Sequence, residues 1–123
     1  MSYAGLLSFI YAKLSADDPR VAAVKEWLGK NYTVEENPGM GAQGLYYYYQ
    51  TMAKALTAAN VDQLQLGEGK KADWRTELAN KILSAQREDG SWVNSNGRWM
   101  ESNPVLVTSY TVLALEQILD SIP

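Results

Sequence analysis

The twelve residues Lys81–Trp92, KILSAQREDGSW, give the most specific indication of the fold in this sequence. Their first half is typical of the end of a helix, and Asp89-Gly90 is a turn pair in which glycine supplies a positive φ. Because Gln86 leaves the end of that helix, its amide can bond to the loop backbone and to the start of the next helix. The Trp92 ring is expected to pack over this amide and exclude water. The stretch therefore predicts a loop that ties one helical hairpin to the next.

Apolar residues at helical spacing predict five α-helices along the chain, and no segment predicts a strand. A capping residue followed by proline starts two of them, at Asp18-Pro19 and Asn103-Pro104. The segment 63–71, QLQLGEGKK, is expected to be a loop insertion. The predicted helices run from Tyr3 to Leu14, from Asp18 to Lys30, from Asn37-Pro38-Gly39 through Leu45 to Leu56, from Ala72 to Gln86 and from Asn103 to Leu119.

The distribution of charge divides these helices into two layers. No charged residue occurs in 2–12, 37–53 or 102–115, whereas Asp17–Lys30 and Lys70–Lys81 each carry six. A helix without a polar face is buried between layers, and an amphipathic helix lies outside. The alternation predicts an all-α fold of α/α toroid-type helical hairpins, with about five helices in two layers.

Length and composition limit the number of domains and the kinds of functional site that the chain can form. With 123 residues, 46% of them hydrophobic, residues 1–123 are expected to form a single domain. The chain has neither Cys nor His, which excludes disulfides, imidazole bases and zinc sites with sulfur or nitrogen ligands, so we expect no metal or cofactor. A net charge of −3 with dispersed basic residues predicts that the chain does not bind nucleic acid. Neither a signal peptide nor a transmembrane segment is visible, and a cytoplasmic location is expected only if the chain is complete.

The spacing within Lys81–Trp92 resembles the QW repeat of squalene-hopene cyclase and its relatives, the oxidosqualene cyclases, other class II terpenoid cyclases and, more distantly, protein prenyltransferase β-subunits. An aliphatic residue lies four before a glutamine, and Gly-x-Trp follows. Weaker copies occur at 27–46 and 2–7. The resemblance implies a C-terminal part of an α/α toroid, a partial barrel in which the repeat is structural and not catalytic. The four residues that carry it are Ile82, Gln86, Gly90 and Trp92.

Two departures from the family leave catalysis open. The hopene cyclases protonate an alkene with an Asp-x-Asp-Asp motif, and the nearest approach here, Ser15–Asp18, lacks that pattern. The prenyltransferases need a zinc site that this composition forbids. An incomplete toroid also leaves apolar edges open, so we expect a homodimer or missing N-terminal hairpins of a longer chain.

Four successive tyrosines, Tyr46–Tyr49, form the first candidate site. Successive helical positions sweep around the axis, so at least one ring should face the hollow of a toroid, beside Tyr3 or Tyr110. Aromatic faces stabilise cations, which is how a polyprenyl carbocation could be guided. The alternative is that the rings pack between layers with their hydroxyls bonded to loop backbone. The candidate ligand-binding residues are Tyr3, Tyr46, Tyr49, Tyr110 and Trp99.

Two glutamates, Glu36 and Glu101, are candidate general acids because each lies just before an Asn-Pro pair, where toroids bear their cavity mouths. The alternative is that both are solvated loop carboxylates. The expected function is binding of an isoprenoid or other apolar ligand on a Tyr-lined concave face, without complete catalytic machinery. A non-enzymatic repeat scaffold that binds protein is the main alternative. A glycan-processing site that uses Glu36 or Glu101 with Trp99 is a third.

Overall fold

The computed structural model describes all 123 residues and consists of five α-helices, one β-hairpin and one 3₁₀ turn. The prediction of a helical fold is confirmed in this coarse form. The elements in chain order are α1 (Ser2–Tyr11), α2 (Pro19–Lys30), α3 (Leu45–Ala58), β1 (Leu64–Gly67), β2 (Lys70–Ala72), α4 (Trp74–Ser84), the 3₁₀ turn (Arg98–Met100) and α5 (Pro104–Asp120).

The β-hairpin corrects the prediction that 63–71 is a loop insertion. β1 and β2 pair antiparallel, with Leu64 opposite Ala72, and both of these residues are buried. The reversal passes through Gly67, Glu68 and Gly69, all at positive φ. Positive φ costs glycine little, so the Gly-x-Gly sequence builds the turn of this hairpin.

The start of α3 is a second correction. Asn37-Pro38 was expected to open this helix, but the helix begins at Leu45. The Asn37 backbone N–H donates to the Gly41 carbonyl oxygen at 2.8 Å, and the Asn37 side-chain amide donates to the Gln43 carbonyl oxygen at 2.9 Å. Asn37 therefore organises a compact loop and does not cap a helix.

The two other predicted caps are confirmed. The Asp18 carboxylate accepts from the Arg20 backbone N–H, and the Asn103 side-chain oxygen accepts from the Val105 N–H at 3.0 Å. Proline follows each cap at the first helical position, where its missing N–H costs nothing. The two Asn-Pro pairs at 37 and 103 are therefore not structurally equivalent, because only the second caps a helix.

Helix α3 forms the centre of the molecule. It packs between α1 and α5, while α2 packs on α1 and β1, and α4 packs on α5. Eight of the 14 residues of α3 are buried, as expected for a helix with one charged residue, Lys54. In α5, however, only four of 17 residues are buried, and in α1 only two of ten. The expectation that all three uncharged helices are buried on nearly every side is therefore wrong for α1 and α5.

The loop after α4 is joined to α5 by Trp92. The Trp92 indole N–H donates to the Ile82 carbonyl oxygen at 2.8 Å, and its backbone N–H donates to the Thr108 hydroxyl oxygen at 3.1 Å. The Gln86 amide donates to the Gly90 carbonyl oxygen at 3.0 Å and stays exposed. The expected loop bond of Gln86 is thus present, but the contact with the next helix comes from Trp92 and Thr108. Gly90 has the positive φ that the turn requires.

No α-helix combines the length and the apolar character that crossing a membrane requires.

Candidate functional site

A largely apolar pocket of about 540 Å³ lies where the first turn of α3, the middle of α5 and the 3₁₀ turn meet. This volume is within the range of small-molecule sites, which are concave and lined by aromatic and aliphatic side chains with few polar groups. Seven of its ten lining residues are hydrophobic. We call it the aromatic pocket and define it by Tyr47, Tyr48, Trp99, Met100, Glu101 and Tyr110.

The Tyr47 ring of α3 and the Tyr110 ring of α5 pack against each other. Their ring centroids are 6.0 Å apart and the rings meet edge to face, which is a favourable arrangement for an aromatic pair. Tyr47 is 40% exposed, whereas Tyr46, Tyr48 and Tyr49 are buried. One ring of the four-tyrosine run is therefore accessible, and it is Tyr47, which lies beside Tyr110.

Tyr46 and Tyr49, both candidates from the sequence, lie in the core and outside the lining of the pocket. Their rings pack edge to face with centroids 5.6 Å apart. The Tyr49 hydroxyl donates to the Val34 carbonyl oxygen at 2.6 Å, and the Tyr48 hydroxyl donates to the Thr33 carbonyl oxygen at 2.7 Å. Burial raises the pKa of Tyr48 to about 12. These contacts match the alternative of interlayer packing with hydroxyls bonded to loop backbone.

Tyr3 also lies in the core. Its ring is 5.6 Å from that of Tyr48, centroid to centroid, and burial raises the pKa of its hydroxyl. It does not line the aromatic pocket, so its contact with any ligand there would pass through Tyr48.

Glu101 is completely buried at the start of α3, although it belongs to the loop before α5. Its Oε1 accepts from the Tyr46 backbone N–H at 2.7 Å. The N-cap of α3 is Gly44, which has no side chain, so Glu101 supplies the cap from a distant part of the chain. A carboxylate at a helix N-terminus is favoured by the helix dipole.

The neighbours of Glu101 have opposite effects on the pKa of its carboxyl group. Burial is the largest influence and raises its pKa, while the Tyr46 N–H, the Asn94 side chain and the Tyr47 N–H favour the ionised form. The second oxygen, Oε2, has no partner at hydrogen-bond geometry. Burial and the charge of Glu101 also raise the pKa of Tyr110. Glu36, by contrast, is exposed and lies outside the pocket.

Asn94 holds the Glu101 segment in place. Its backbone N–H donates to the Glu101 carbonyl oxygen at 2.9 Å, and its side-chain amide donates to the Ala42 carbonyl oxygen at 2.6 Å. The loop before α5 is thereby fixed to the loop before α3. These two loops form the wall of the pocket that contains Glu101.

Trp99 and Met100 form the rim of the pocket on a strained turn. Both have positive φ, 59° and 65°, which costs a non-glycine residue about 1–3 kcal/mol each. Their side chains are 60% and 68% exposed. The Arg98 guanidinium lies 4.7 Å from the centroid of the Trp99 ring. The turn therefore holds two large apolar side chains in solvent at the edge of the pocket.

A second pocket, of about 580 Å³, lies between α2, the end of α3 and the β-hairpin. Its lining mixes charges of both signs, from Lys25, Asp62 and Lys71, with aliphatic and amide groups. None of the residues that the sequence singled out lies there. No three acidic side chains lie close enough together to hold a metal ion.

No protein-family model matches the chain, and neither the curated proteins nor the solved structures contain a significant match.

The aromatic pocket contains three of the residues that the sequence singled out, Trp99, Glu101 and Tyr110. It also contains Tyr47, a member of the predicted four-tyrosine run from which only Tyr46 and Tyr49 were chosen as candidates, and Met40 and Met100, which were not predicted. A helical register fixed by the buried Tyr49 would have pointed to Tyr47, which lies about 200° away around the helix. No sequence signal marks the two methionines.

Proposed function

We propose that this chain binds an elongated apolar small molecule, an isoprenoid or a compound of similar shape, in the aromatic pocket. The observation that carries the proposal is the strained turn, which holds Trp99 and Met100 exposed above an apolar cavity of about 540 Å³. Methionine adapts to the shape of a partner, and tyrosine and tryptophan supply large rigid contact areas. The pocket offers no histidine or cysteine, and its one carboxylate is buried, so the proposal concerns binding and not catalysis.

We also propose that the helices form an arc of a terpenoid-cyclase-like α/α toroid. Three features support this. The helices with the long uncharged stretches are α1, α3 and α5, and α3 packs on both of the others. Helices α2 and α4, which carry more charge, each pack on one of the two end helices, and Trp92 joins its loop to α5. Because the acid motif of the cyclases is missing, such an arc would bind a terpenoid without cyclising it.

The binding proposal is tested by thermal shift with farnesol, squalene and prenyl diphosphates, with mass spectrometry to look for products. We expect stabilisation by at least one of these compounds and no product. Tyr47→Ala and Trp99→Ala should reduce the shift. The matched controls Tyr11→Ala and Trp27→Ala, at exposed aromatic residues outside the pocket, should not. No shift with any compound, or an equal loss in the controls, would refute the proposal.

A second candidate function, a protein-interaction module, is favoured by the outer face of α5. Val105, Val112 and Leu119 are exposed and seven residues apart, so they form an apolar stripe along one side of the helix. Exposed apolar stripes of this kind mark contacts with other chains. We propose that the partner is a second copy of this chain, which would make the protein a homodimer.

A further inference from the structure

Besides the tyrosines, two lining residues of the aromatic pocket carry an ionisable group, the Glu101 side chain and the α-amino group of Met1, which is itself 88% exposed. Glu101 is the one charged side chain among the lining residues, and neither lysine nor arginine lines the pocket. Its Oε1 is bound by the Tyr46 N–H, while Oε2 is buried without a partner. Glu101 forms no ion pair, and a buried carboxylate without one leaves a negative potential in the wall that is weakly screened because water is excluded.

The aromatic rings add to that potential on the side of the cavity. The faces of tyrosine and tryptophan carry the negative part of the ring quadrupole and attract cations. The Trp99 ring already contacts a cation, because the Arg98 guanidinium lies 4.7 Å from its centroid. Tyr47 and Tyr110 lie edge to face, with Glu101 in the same wall.

We propose that the ligand of the aromatic pocket carries an alkylated ammonium group, which lies against the Tyr47 and Tyr110 rings in the field of the Glu101 carboxylate. The proposal rests on the proposed function, because it concerns the same pocket. A fully alkylated ammonium has no N–H to donate, so it does not need direct contact with the buried Oε2. Aromatic faces backed by a carboxylate therefore suit this group better than a primary amine. An anionic head group would meet repulsion from Glu101.

The test compares three probes with the same eight-carbon chain, octyltrimethylammonium, octanol and octanoate, by isothermal titration calorimetry at pH 8. For the unmodified chain we expect octyltrimethylammonium to bind about tenfold more tightly than octanol, and octanoate to bind more weakly than octanol. Glu101→Gln should lower the preference for the cation to about threefold or less, since Gln keeps an oxygen for the Tyr46 N–H but lacks the charge. The control Glu36→Gln, at an exposed residue outside the pocket, should keep the full preference.

Each outcome distinguishes the two proposals. If octanol binds as tightly as the cation, the pocket binds apolar ligands but the ammonium inference is wrong. If none of the three probes binds, both the ammonium inference and the proposed binding of apolar ligands are wrong. A preference that survives in Glu101→Gln would overturn the role of Glu101. Should that variant not fold, Tyr47→Leu against Tyr11→Leu decides, because only loss of the Tyr47 ring should reduce the preference.

Discussion

Glu101 connects the stability of α3 to the pocket. It provides the cap that Gly44 cannot, and its Oε1 is the acceptor for the Tyr46 N–H. We expect Glu101→Ala to lower the free energy of unfolding by about 1–3 kcal/mol, because it leaves a helix N-terminus and a buried N–H without a partner. Glu101→Gln should cost less, since its amide oxygen still accepts. Urea denaturation measures both, and equal stability of the two variants would contradict the capping role.

Asp18 couples the start of α2 to pH. Its hydrogen bonds with the Arg20 side chain and N–H lower its pKa from 3.8 to about 2. Because the pKa is lower in the folded chain, the stabilisation is present above 3.8 and is lost as pH falls towards 2. Asp18→Asn should therefore lower the melting temperature near neutral pH, and the difference should shrink as the pH falls through this interval. A difference in melting temperature between the two proteins that is constant with pH would contradict the assignment.

At the scale of elements, α2 packs on β1 at Gly29. A Cβ on Gly29 would overlap the Gln65 carbonyl oxygen, so the two backbones approach as closely as glycine alone permits. Gly29→Ala should lower the free energy of unfolding by about 1–3 kcal/mol, although alanine is the better helix former. Gly5→Ala in α1, where nothing lies within 4 Å, should raise it by up to about 1 kcal/mol. Effects of the same sign in a urea titration would refute this packing.

Helices were predictable from the sequence because apolar spacing and local caps determine them. Asp18-Pro19 and Asn103-Pro104 act within two residues of themselves, and both form the caps that the sequence predicts. Asn37-Pro38 has the same local sequence, but the backbone and side-chain N–H groups of Asn37 donate to the carbonyl oxygens of Gly41 and Gln43. The glycine-rich loop that follows, and not the Asn-Pro pair, determines this conformation. The β-hairpin escaped prediction because Leu64 and Ala72 become a buried pair only when the strands meet.

The site was predictable only in part for the same reason. Trp99, Glu101 and Tyr110 could be predicted from their residue types. In the four-tyrosine run, however, Tyr47 lines the pocket, because the rings of Tyr46 and Tyr49 lie in the core. The rotation of α3 about its axis is set by its packing between α1 and α5, which involves residues far apart in the chain. Met100 is placed by a positive φ that its own sequence does not favour.

At the scale of the whole molecule, the apolar stripe of α5 is available to a second copy of the chain. Val112 lies at the middle of that stripe and is exposed in the monomer. We expect the unmodified chain to be a dimer in size-exclusion chromatography with light scattering, and Val112→Asp to be a monomer, because a buried unpaired charge is costly. Leu83→Asp, at an exposed apolar residue of α4, is the control and should stay dimeric. A monomer at micromolar concentration without any substitution would refute the dimer.

We expect the aromatic pocket to bind an elongated apolar ligand, and amide chemical-shift mapping with farnesol measures this residue by residue. Shift changes should concentrate at Tyr47, Trp99, Met100 and Tyr110, which line the cavity of about 540 Å³. Changes centred on the second pocket at Lys25 and Lys71, or no changes at saturating farnesol, would contradict it.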